Sequence, residues 1–139
     1  MEDGKTTTNT QERFNTLFDS EVEAQTIADV SVGMYLSGGI DSGALLNGFA
    51  KTISPINAFT IGFSENDEDL QRVNRLQNRI PFNKNIFSFT PDSLEHIEDV
   101  VFSMEEPFGD LIICANYLLA SQASQQVKVV LSGEGGDES

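Results

Sequence analysis

A chain of 139 residues, 39% of them hydrophobic, can close one compact domain around one core and is too short for two. Its net charge of −14, from 22 acidic against 8 basic side chains, lacks the basic footprint that nucleic acids or anionic membranes require of a partner. The single cysteine, Cys114, excludes an intrachain disulfide, and no apolar run reaches the roughly 20 residues of a membrane helix, so a soluble protein of the cytoplasm is expected.

Residues 1–10 are polar and threonine-rich without a periodic apolar face and read as a disordered lead-in to a domain spanning 11–139. From Gln11 to Asp29, Phe14, Leu17, Phe18, Val22 and Ala28 recur at helical spacing and predict an amphipathic helix. Val32 to Leu36 predicts a strand that stops at Ser37-Gly38-Gly39-Ile40-Asp41-Ser42, and Gly43 to Lys51 a helix. Asn57 to Phe63 reads as a second strand, Asn66 to Arg79 as a helix turning Leu70, Val73 and Leu76 inward, and Phe82 to Phe89 as a third strand.

Thr90-Pro91-Asp92 places a hydroxyl cap before a proline, which predicts a helix carrying Leu94, Ile97, Val101 and Met104 on its inner face. A further helix is expected over about Ile113 to Gln126, and a fourth strand over Val127 to Leu131. The glycine- and acid-rich end, Gly135 to Ser139, reads as a loop leading onward, so the domain is expected to be partial.

Strands alternating with helices imply a doubly wound α/β fold, a mostly parallel sheet of about four strands with helices on both faces. In such sheets ligands sit beyond the carboxyl ends of the strands, where strand order reverses. The loops after the first and fourth strands carry the least ordinary residues of the chain. Ser37 to Ser42 sets two glycines and two hydroxyls between a strand and a helix N-terminus, where main-chain N–H groups and the helix dipole suit an anion such as phosphate. On geometry alone a tight strand-to-helix turn is the alternative. A Walker A loop would need a lysine beside its Ser/Thr, and a dinucleotide fingerprint would need G-x-G-x-x-G; neither is present, and Lys51 is too far along the helix to substitute.

Ser37-Gly38-Gly39-Ile40-Asp41-Ser42 resembles the pyrophosphate loop of the N-type ATP pyrophosphatases, a superfamily that includes asparagine, GMP and NAD synthetases and tRNA-modifying enzymes. Val129 to Glu138, with Ser132-Gly133-Glu134-Gly135-Gly136-Asp137-Glu138, resembles the signature of the glutamine-hydrolysing asparagine synthetases, usually S-G-E-G-x-D-E. Between them Phe59 to Phe63, Asn66-Asp67-Glu68, Glu105 to Asp110 and Tyr117-Leu118-Leu119 match that family in order and spacing, so the resemblance runs from about Phe14 to Glu138. Two segments depart from it: Pro81 to Asn85 carries no histidine where relatives are histidine-rich, and Leu111 to Cys114 is more apolar than usual.

The resemblance implies a nucleotide-binding core of a synthetase domain, using ATP and Mg²⁺ to turn a carboxylate, that of aspartate, into an acyl-adenylate that ammonia converts to an amide. It implies that Ser37, Gly38, Gly39, Asp41 and Ser42 bind the pyrophosphate, that Leu36, Ile61, Ser132 and Gly133 line the adenosine pocket, that Asp41 and Asp137 hold Mg²⁺, and that Glu134 is the general base. The family's glutaminase nucleophile is an N-terminal cysteine, and this chain begins Met1-Glu2, so the glutaminase domain is absent from it and turnover by this chain alone is not expected. The alternatives are a module that binds ATP or AMP without turnover, or a related amidotransferase with a different carboxylate; a homodimer is left open. A tRNA substrate is disfavoured by the charge. His96, flanked by Glu95 and Glu98, reads as an exposed helix residue and Cys114 as a buried structural thiol.

Overall fold

Val32, Met34 and Leu36 alternate with Gly33 and Tyr35 in a run that suits a strand buried on both faces, and in the computed structural model this run forms an interior strand of a parallel sheet. The structure describes residues 3–64, 66–106 and 109–134. In chain order the elements are helix α1 (Asp3–Thr26), strand β1 (Val32–Tyr35), helix α2 (Ile40–Phe49), strand β2 (Ile56–Gly62), helix α3 (Glu68–Gln77), strand β3 (Phe82–Ser88), a 3₁₀ helix (Pro91–His96), helices α4 (Ile97–Met104) and α5 (Ile112–Ser124), and strand β4 (Val129–Leu131).

The four strands lie in the order β3-β2-β1-β4, and every pairing is parallel. Tyr35 pairs with Phe59, Gly62 with Ser88 and Met34 with Leu131. The first three strands step outward to one side; the chain then crosses back and lays β4 on the free side of β1. Strand order therefore reverses at β1, and the loops that leave β1 and β4 are neighbours at the carboxyl edge, where a doubly wound sheet binds ligands.

Two apolar clusters close the two faces. On one, Val22 of α1, Leu46 and Phe49 of α2 and Val73 of α3 pack on Met34, Leu36, Ile56, Ala58 and Phe82. On the other, Leu119 and Ala123 of α5 and the following Val127 pack on Phe59, with Tyr35, Ile61, Phe87 and Val130 at the margin. Cys114 is free and buried in α5, as expected. No helix among the described residues is long and apolar enough to cross a membrane.

Several boundaries differ from the sequence reading. The first helix begins at Asp3, so residues 3–10 continue it rather than lead into it, and it ends at Thr26, leaving Ala28 outside. Of its predicted apolar face, Val22 is buried and Phe18 packs against the first cluster, whereas Leu17 and Phe14 are exposed, Phe14 stacking on Phe18 at 6.0 Å. The cap at Thr90 forms a reciprocal pair with Ser93, but it opens a 3₁₀ helix. Three residues per turn rotate the phase of α4 relative to a continuous α-helix. Val100 is thus the buried residue of α4, and Ile97, Val101 and Met104, expected inside, are exposed.

Candidate functional site at the carboxyl edge of the sheet

Beyond β1 the ladder runs one residue further, since the Leu36 N–H donates to Phe59 O at 2.9 Å. The buried Thr60 hydroxyl donates to Leu36 O at 2.7 Å, so both main-chain groups of Leu36 are satisfied and the chain is pinned just before it turns. Gly38 makes the turn with φ +79°, a left-handed conformation that disfavours any side chain. A Cβ there would also fall 2.8 Å from Arg72 Cβ and 2.9 Å from Asp69 O, because α3 lies directly against the loop.

Helix α2 starts at Ile40, inside the motif rather than after it, so Asp41 and Ser42 belong to its first turn. Gly39 is the N-cap, extended and without a side chain, which leaves the amides of the first turn uncapped from within and turned toward the carboxyl edge. The two hydroxyls tie the loop together: Ser37 Oγ lies 3.1 Å from Ser42 Oγ, the Ser42 hydroxyl reaches Gly39 O at 3.3 Å, and the Gly39 N–H donates to Ser37 Oγ at 3.4 Å. Ser42 is buried in this network, while Ser37, Gly39 and Asp41 are exposed, so the loop offers Ser37 and the main chain of its first turn to a ligand and keeps Ser42 as the internal tie.

The loop after β4 closes on this turn. A Cβ at Gly133 would lie 2.9 Å from Ser42 N, 3.1 Å from Asp41 C and 3.2 Å from Ser42 Cα, so only a glycine lets this backbone approach the start of α2. The Glu134 N–H donates to Ser132 Oγ at 3.4 Å, and Glu134 itself is exposed. Ser37 to Ser42 and Ser132 to Glu134, far apart in the chain, therefore form one continuous surface. Asp137 lies outside the described residues.

Leu36 and Ile61 are placed differently from one another. Leu36 is buried among the residues of the first cluster and Ile61 borders the second, so their side chains face opposite sides of the sheet. What the sequence does not announce is the place of α3: Leu70, Val73 and Leu76 mark its inward face and Asn66-Asp67-Glu68 carry part of the resemblance, yet its first turns also flank the loop. Asp67 caps it, accepting from Asp69 N at 2.8 Å and Phe63 N at 2.9 Å, and the hydrogen bond from Phe63 N–H leads the causes that hold its carboxyl below the usual aspartate range. Arg72 pairs with Asp69 at 2.9 Å and Glu68 at 3.0 Å. The signal that could have found this contact is Gly38, since a glycine held at positive φ often marks a close neighbour.

A cavity of about 420 Å³ lies elsewhere, between β3, the 3₁₀ helix and α5, with Ser88, Thr90, Asp92, His96 and Gln122 in its wall and none of the loop residues. It is an open concavity; the groups suited to an anion are in the loops. Among the described residues no three His, Cys, Asp or Glu side chains gather as a metal site by themselves.

Residues 13–139 match the family model described as asparagine synthase. The chain is 30% identical over 125 residues to a putative glutamine-hydrolysing asparagine synthetase of Methanocaldococcus jannaschii, a match covering 88% of this chain and 24% of that protein. It is 30% identical over 126 residues to asparagine synthetase 1 of Bacillus subtilis, covering 88% of this chain and 20% of that one. The chain thus spans about a quarter or less of the length of these curated relatives. Among solved structures, an NH3-dependent NAD synthetase of Campylobacter jejuni superposes with a TM-score of 0.58 at 17% identity, over 86% of this chain and 54% of that one. An NMN synthetase of Francisella tularensis does so with 0.58 at 22% identity, over 86% and 52%. These likenesses bear on the fold, which they share.

Proposed function

Because the chain belongs to the asparagine synthase family, we propose that its two loops bind ATP and serve the adenylation of a carboxylate, that of aspartate in the reading closest to the relatives' names. The observation that carries the proposal is the seating of Gly133 against the first turn of α2, which joins both loops into one surface of main-chain donors. A carboxylate oxygen would attack the α-phosphorus, the bond to the β,γ-pyrophosphate would break, and ammonia would then displace AMP from the acyl carbon to leave the amide. Negative charge grows on the departing pyrophosphate, and fixed donors aimed at it stabilise the transition state more than the ground state.

In this reading the Ser37 hydroxyl and the amides around Gly38, Gly39 and Ser42 hold the pyrophosphate. The main chain at Leu36, Ser132 and Gly133, with Ile61, borders the adenosine, and Glu134 takes the proton from the attacking ammonia. Mg²⁺ fits the donors available: it is commonly held by one or two carboxylates together with substrate phosphates and water, and Asp41 stands exposed on the first turn of α2. Asp41, with Asp137, would hold the ion, which supplies charge neutralisation to the phosphates. The chain spans about a quarter or less of its curated relatives, and amide formation is expected of a protein of their span supplied with ammonia.

Calorimetric titration with ATP, with and without Mg²⁺, of the chain and of an Asp41→Asn/Asp137→Asn variant tests this reading. Mg²⁺-dependent binding that the variant loses is the expected result. Equal binding by the variant would remove the carboxylates from the site, and no binding by the folded chain would reduce the loop to a turn. Binding without amide formation by a protein of the relatives' full span that carries these residues, supplied with aspartate and ammonia, would leave a nucleotide-binding module or point to another carboxylate.

A further inference from the structure

The nucleotide that the loops are read to bind brings several negative charges to the edge of a chain whose own net charge is −14. The ionisable side chains described on the loops themselves, Asp41 and Glu134, are acidic and exposed. Backbone dipoles offset only part of such a charge, so the placement of cations decides how the phosphates are held. Lys51 is engaged with Asp19 of α1 at 2.6 Å, Lys84 with Asn74, and Lys128 precedes β4 at the opposite edge of the sheet. Arg72 differs: its Cβ is the nearest atom to the position a Gly38 Cβ would take.

Its direction is also set by the fold. Helix α3 follows β2, so its N-terminus lies at the carboxyl edge, and helical side chains lean toward the helix N-terminus. Arg72 leans that way, as its pairs with Glu68 and Asp69, one turn nearer the edge, attest. Those pairs are exposed, with 45% of the Arg72 side chain in solvent, and exposed ion pairs of this kind are weak and screened by salt. A guanidinium fork binds phosphate oxygens in the same bidentate way that it binds carboxylates.

We propose that Arg72 binds the β,γ-phosphate end of the nucleotide, exchanging Glu68 and Asp69 for phosphate oxygens when the polyphosphate enters. The inference rests on the ATP-binding reading and adds to it a residue from outside both loops. Glu68 and Asp69 then act as internal placeholders: they hold the guanidinium beside the loop and are displaced by a more highly charged ligand.

The test is calorimetric titration of the chain with Mg²⁺-pyrophosphate, ATP and AMP, for the wild type, Arg72→Gln, Arg72→Lys and a control on the same helix, Arg75→Gln. Arg72→Gln is expected to weaken pyrophosphate and ATP about tenfold or more, the scale of one lost charge-assisted pair, while AMP changes by less than about twofold. Arg72→Lys, a charge without the fork, should fall between, and Arg75→Gln should match the wild type. Thermal unfolding of each variant confirms that the fold is intact. Pyrophosphate binding by Arg72→Gln equal to the wild type overturns the inference and leaves the ATP site standing, as does a loss that is the same for AMP as for pyrophosphate, which would mark a structural role. Failure of the wild type to bind ATP or pyrophosphate would instead bring down the ATP-binding reading, and this inference with it.

Discussion

On one face of the sheet three helices lay Val22, Leu46, Phe49 and Val73 over the strands, and five residues of that cluster, Met34, Leu46, Phe49, Ala58 and Val73, are 0% exposed. On the other, α5 supplies Leu119 and Ala123, while Val101, Phe102 and Met104 of α4, with Leu111 and Ile112 at the start of α5, are exposed. The difference bears on the site. Helix α2, whose first turn is the proposed anion cradle, is locked at its other end by Leu46 and Phe49 in the denser face, so the amides at Gly39 to Ser42 are held by packing before any ligand arrives. The second face supplies the loop of β4, and its lighter cover sits behind the strand that carries Gly133.

The largest effect expected is therefore on the first face. Phe49→Ala should cost about 3–5 kcal/mol of unfolding free energy, because a ring with no solvent exposure leaves a cavity among fixed neighbours. Leu119→Ala, at 6% exposure beside a smaller cluster, should cost about 2–3 kcal/mol. Urea denaturation of both variants measures the contrast, and equal losses would show that the two faces contribute alike.

The elements on the denser face were legible from sequence for a physical reason. Buried strands with continuous apolar runs and a helix with Leu70, Val73 and Leu76 at spacing 3 announce their periods whatever surrounds them. The glycine loop was legible too, since no strand or helix interior accommodates Ser37-Gly38-Gly39. Its boundary was not: Ile40, Asp41 and Ser42 look like loop residues, and only the N-cap geometry at Gly39 shows that α2 has begun. The phase of α4 was lost because a 3₁₀ turn between Pro91 and His96 leaves no compositional mark. The approach of α3 to the loop was hidden because it is a tertiary contact, hinted at in the chain only by Gly38.

The cap of α3 gives a smaller and pH-dependent effect. Asp67 accepts from Asp69 N and Phe63 N, and losing such a cap in Asp67→Ala should cost about 1 kcal/mol near neutral pH. These hydrogen bonds hold the folded carboxyl below its ordinary value, so the contribution is full above the unfolded pKa and is lost as pH falls through the folded one. Urea denaturation at neutral and at acidic pH should find the variant's deficit shrinking as the solution is acidified. A deficit that is constant with pH would mean that the carboxylate is not what the helix gains from Asp67.

The smallest effect belongs to the lighter face. Phe102 on α4 is 86% exposed, so Phe102→Ser removes a ring that already lies in water and should change stability by less than about 0.5 kcal/mol. The rotated phase of α4 shows at its neighbours: a continuous helix from Thr90 would have put Val101 and Met104 inside, whereas behind the 3₁₀ turn Val100 is buried and both of them are exposed. Val100→Ala, at 1% exposure, is the companion measurement, and it should be clearly destabilising where Phe102→Ser is not. A large loss for Phe102→Ser would mean that α4 turns Phe102 onto the fold, and the contrast between the two sides of the sheet would then narrow to the difference between three helices and two.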